Sequence, residues 1–117
     1  MISEEKIKSE FIKEMKDYED KTMDRCELVR GKFQGKVKGK DPLKLAADWI
    51  GSDMKEPARD GFIKLLKCRK DKGFNAPKYS LEALYVKFEK KYREKYHHLF
   101  DKEVLKVAKS RIEKYIK

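Results

Sequence analysis

The chain has little of what most often announces a function. It holds two cysteines, Cys26 and Cys68, far apart and with no Cys-x-x-Cys pair. The spacings of zinc ribbons and dithiol oxidoreductases are therefore missing, and two buried, reduced thiols are expected. The two histidines, His97 and His98, are adjacent. On a helix such neighbours point about 100° apart and rarely share one ion. No metal site and no cofactor is expected. Apolar runs are all far shorter than the roughly 20 residues of a membrane span. The start, Met1-Ile2-Ser3-Glu4-Glu5, is acidic where a secretory leader would be basic. No helix pairs a strongly apolar face with a dedicated cationic one, so no membrane contact is expected, and a cytoplasmic location is. Alternating β-branched runs are also missing, which argues against a sheet.

Signatures of catalysis are equally scarce. Gly-Lys occurs three times near residue 35, but no Ser or Thr follows and the glycine spacing is not that of a Walker A loop. Nothing in the sequence sets either cysteine beside a base or an oxyanion hole. The carboxylates Asp17, Asp20 and Asp24 lie one turn apart, but Lys21 and Arg25 among them mark a solvated face rather than a cation site. The expectation is a protein without catalytic residues.

What the chain has is charge. Of its 117 residues 44% are charged, with 31 Lys and Arg against 21 Asp and Glu, a formal net charge of +10. Disorder is the first concern at that density. Yet Leu, Ile, Val and Phe number 27 of the 117, above the roughly 20% below which chains fail to build a core. A single folded domain spanning 1–117 is expected. Its charge is unevenly spread: residues 1–29 carry a net −3, 30–72 a net +7 and 73–117 a net +6. Such asymmetry implies an intramolecular pairing or an interaction face.

Apolar spacing predicts an all-α fold, a bundle of four to five helices with a long first helix and a long C-terminal helix or helical hairpin. Ile7, Phe11, Met15, Tyr18, Thr22, Cys26 and Val29 step by threes and fours after Ser3, a plausible N-cap. Asp41-Pro42 opens a second helix that ends near Gly51. A third begins between Asp53 and Pro57 and stops at Gly73, and residues 74–79 read as a loop. Ser80 and Asp101 cap the last two, which could also form one rod.

Three basic groups follow. Arg30, Lys32, Lys36, Lys38 and Lys40 lie in 30–41, read as a flexible loop whose glycines let the backbone approach an anion. Arg69, Lys70 and Lys72 close the third helix, and Lys87, Lys91 and Arg93 interleave with Phe88, Tyr92 and Tyr96. The aromatics share one stripe and point inward, leaving the cations outward. A helix-turn-helix over Leu43 to Lys70 is disfavoured, because Pro57 falls where its second helix needs an apolar residue. Together these groups predict a nucleic-acid-binding protein, for DNA or RNA, that works mainly through phosphate contacts. The alternative is a protein–protein interaction module whose basic face docks on an acidic protein surface, and head-to-tail self-association is open to the same charge pattern.

Overall fold

In the computed structural model, which describes residues 3–26, 32–51, 60–73 and 75–115, the chain is helical, with no strand among those residues. Among the described residues six α-helices follow in order: α1 Glu4–Cys26, α2 Lys32–Val37, α3 Pro42–Gly51, α4 Asp60–Lys72, α5 Leu81–Tyr96 and α6 Lys102–Tyr115. The short polar residues that sequence places at helix starts do cap them. Ser3 Oγ accepts from the Lys6 N–H at 3.2 Å, and Ser80 Oγ from the Ala83 N–H at 3.1 Å. Asp41 Oδ1 accepts from Leu43 and Lys44, and Asp101 Oδ1 from Glu103 and Val104. Each such cap satisfies a donor that the helix cannot, worth about 1 kcal/mol. Gly73 ends α4 in the left-handed region, φ +70°, donating to the Arg69 carbonyl at 2.9 Å.

The additional helix is α2, and it corrects the loop expected at 30–41. Residues 32–37 are helical and lead into a tight turn. Val37, 6% exposed, is the anchor that draws this basic segment onto the main core. Only Gly35 sits inside that helix, so the cost of interior glycine is incurred once. Gly39 instead supplies the turn, at φ +72°. Val29, Gly31 and the start of α4 expected at 53–57 lie outside the described residues.

The C-terminal half is not one rod. A 3-10 turn at His97–Leu99 and extended backbone at Phe100 separate α5 from α6. Phe100 turns inward and meets Tyr85 edge-on, ring centroids 5.4 Å apart. Glu82 and Tyr85, on neighbouring turns of α5, are reached by Arg111 and Phe100 from opposite ends of α6. The last helix thus lies across the first half of α5. The expected loop at 74–79 contains a 3-10 turn, Ala76–Tyr79, with Ala76 and Pro77 buried.

α1 and α5 run antiparallel. Glu4, Glu10 and Glu14 meet His98, Tyr92 and Lys87 in that reversed order, at 2.9, 2.6 and 3.3 Å. Between them Phe11 packs edge-on against Phe88 at 5.1 Å. Ile7 and Phe11 from α1, Leu43 and Ile50 from α3, Leu84, Tyr85 and Phe88 from α5, and Ala108 from α6 share one core. Each large member contributes about 1.5–3 kcal/mol by leaving water.

A second, smaller cluster joins Cys26, Leu65, Cys68 and Ala76. Here the expectation of two reduced thiols is overturned: Cys26 and Cys68 are buried, but they form a disulfide with Cα atoms 5.2 Å apart. That separation lies well inside the roughly 4.4–6.8 Å that bridges adopt. The last residue of α1 and the middle of α4 meet only through tertiary packing, so sequence spacing could not pair them.

Candidate nucleic-acid interface

The densest basic site is the turn between α2 and α3. Val37 faces the core, so Lys36 and Lys38 on either side of it face solvent. The Lys40 N–H donates to the Val37 carbonyl at 2.9 Å and closes the turn over Gly39, leaving Lys40 exposed as well. The next residue, Asp41, is the nearest carboxylate in sequence, and it is already engaged. Its Oδ2 takes Lys8 Nζ at 2.8 Å while its Oδ1 caps α3. Partial burial pushes the Asp41 carboxyl up, but Lys8 and the N–H groups of Lys44 and Leu43 outweigh that and hold it below its ordinary value. Lys36, Lys38 and Lys40 are left without an ion pair among the described residues, on a backbone fixed at both ends.

The α5 cations are differently placed. Lys87 pairs with Glu14 of α1 at 3.3 Å. Arg93 sends Nε and Nη2 to the two oxygens of Glu89 at 2.8 and 2.9 Å, and that guanidinium draws the Glu89 carboxyl below its ordinary value. Lys91 lies 5.2 Å from the centre of the Tyr92 ring. All three are exposed, yet each already has an intramolecular partner. The tyrosines behave as the stripe implied: Tyr92 packs between Phe88 and Tyr96 and gives its hydroxyl to Glu10.

On α4, Lys70 and Lys72 are exposed and Arg69 half-buried. They do not join the turn. The Lys8–Asp41 pair fixes the turn near the start of α1, whereas the disulfide fixes α4 at its end. Eighteen residues of helix separate those two anchors, about 27 Å at 1.5 Å per residue. The residues singled out in sequence thus form separate groups rather than one patch. Arg30 and the Lys32 side chain lie outside what the structure describes.

One cation was overlooked. Lys44 is exposed on the first turn of α3, and its spacing of four from Lys40, itself four from Lys36, was the available signal. Among the described residues no three His, Cys, Asp or Glu side chains converge as a metal site would need, and no helix is long and apolar enough to cross a membrane. No family model, curated protein or solved structure matches the chain.

Proposed function

We propose that this is a non-catalytic helical protein that binds nucleic acid through its phosphates, with the Gly39 turn as the principal contact. One observation carries the reading: three exposed lysines share one turn whose neighbouring carboxylate is occupied by Lys8. Unpaired cations release counterions from a polyanion, whereas cations already paired gain less by the exchange. The α3 N-terminus is not itself the anion site, because Asp41 caps it. Tyr85 is buried in the core and Tyr92 gives its hydroxyl to Glu10 of α1, so stacking on bases adds little and the contact is independent of sequence. Lys70, on the helix bridged to the far end of α1, would meet a second stretch of backbone. A bridge between cysteines persists in oxidising surroundings, which fits this chain better than the reducing cytosol.

The test is a salt series with labelled random duplex, random single strand and polyglutamate as competitor. Binding to duplex should weaken steeply with salt. Replacing Lys36, Lys38 and Lys40 by Gln should lower the log–log slope by about 2.7, at roughly 0.9 per phosphate contact. No binding at low salt ends the proposal. Equal competition by polyglutamate at matched charge would favour an acidic protein partner instead.

A further inference from the structure

We infer that α4 is a redox-released element: reduction of the Cys26–Cys68 bridge frees it from the molecule while the rest of the fold stays closed. The inference stands apart from the phosphate reading and uses different observations. Among the described residues α4 contributes none to the main core, which is built from α1, α2, α3, α5, α6 and Phe100. It rests on the end of α1 and on the 3-10 turn at Ala76–Tyr79. Its buried contact among the described residues is the small cluster of Cys26, Leu65, Cys68 and Ala76. Two of those four are the bridged cysteines, so the covalent bond is a large part of what holds the helix.

Left to itself α4 has little reason to stay helical. It spans 13 residues, about the length at which isolated helices become marginal in water. Lys64, Lys67, Arg69 and Lys70 crowd its second half beside the single carboxylate of Asp71, and like charges one turn apart repel. The chemistry of release is simple. A thiolate of a dithiol reductant attacks one sulfur, the Sγ–Sγ bond breaks, and a mixed disulfide forms. The reductant's second thiol then resolves it. Two electrons and two protons pass to the protein, leaving Cys26 and Cys68 as thiols and the reductant as a disulfide. With the cysteines only 8% and 5% exposed, a reductant must wait for α4 to lift, so reduction is gated by the motion it then makes permanent.

The experiment is amide hydrogen exchange on the intact chain, before and after treatment with a phosphine reductant, with thiols titrated in parallel. No free thiol should be found before treatment and two after it. After reduction, amides of residues 64–72 should exchange within about tenfold of an unstructured peptide, while those of residues 84–88 stay slowed by more than about a hundredfold. A C26S/C68S variant should match the reduced protein. Two free thiols in the untreated protein would overturn the inference. So would a loss of protection in both segments, which would make the bridge a staple of the whole fold, or in neither.

Discussion

Arg111 of α6 and Glu82 of α5 form an ion pair at 3.2 Å with side chains only 3% and 6% exposed, and the same guanidinium nitrogen donates to the Ile50 carbonyl at 3.0 Å. Three helices therefore meet at one buried charge. Removing one partner leaves the other's charge buried with its ion-pair compensation lost. Arg111→Met should cost about 3–5 kcal/mol in urea unfolding, and the double variant E82L/R111M should recover most of that. A single-variant loss below about 1 kcal/mol would show the pair to be energetically idle.

Tyr85 supplies a pH dependence at the alkaline end. Burial pushes its phenol up to about 12 from 10.0, while its oxygen accepts from the Asp101 N–H at 2.8 Å. The folded state therefore favours the protonated phenol. That stability is complete below pH 10 and is lost as pH rises toward 12, because the unfolded chain ionises first. The loss amounts to on the order of 2 kcal/mol. In Tyr85→Phe this part of the alkaline decline should vanish, at a cost near neutral pH of about 1–2 kcal/mol for the orphaned Asp101 N–H. Denaturant titrations from pH 8 to 12 would read both effects.

Asp41 acts at the acid end. Its carboxyl lies below 3.8, and that of Glu89 below 4.5. Each contributes stability that is complete above those unfolded values and is lost as pH falls through the folded ones. Asp41→Ala should cost about 1 kcal/mol at pH 7 as a lost cap, and the variant should show a smaller acid-induced loss of stability. A thermal melt series from pH 7 to 2 would reveal it; an unchanged acid limb would exclude Asp41 as a contributor.

Glu14 of α1 restrains Lys87 of α5. Exchanging Glu4 and Glu14 for Gln removes two negative charges, raising the formal net charge from +10 to +12, and frees Lys87 from its partner. Duplex affinity should rise and the salt slope steepen by about 0.9 for the released lysine. Unchanged binding would place Lys87 away from the contact surface.

Helix identity was legible in the sequence because the caps and stripes act locally. Ser3, Asp41, Ser80 and Asp101 each bond to an N–H two or three residues on, and Ile7, Phe11 and Phe88 fall at turn spacing. The turn at Gly39 and the burial of Val37 were hidden, since tertiary packing rather than propensity makes α2 helical. Glu82 and Arg111 read as ordinary surface charges until their partners, 29 residues apart, are brought together. The basic residues were found, but that Lys87 is already paired depends on α1 lying against α5. The disulfide was missed for the same reason: α1's end and α4's centre are neighbours only in the folded chain.

The single tryptophan, Trp49, packs against the main core from α3, on a different helix from the bridge. Its fluorescence therefore reports on the main core, while far-ultraviolet dichroism counts every helical turn. When the bridge is reduced at constant temperature, dichroism should fall while the Trp49 emission holds. Emission alone would therefore miss the release of α4 and report only the loss of the main core.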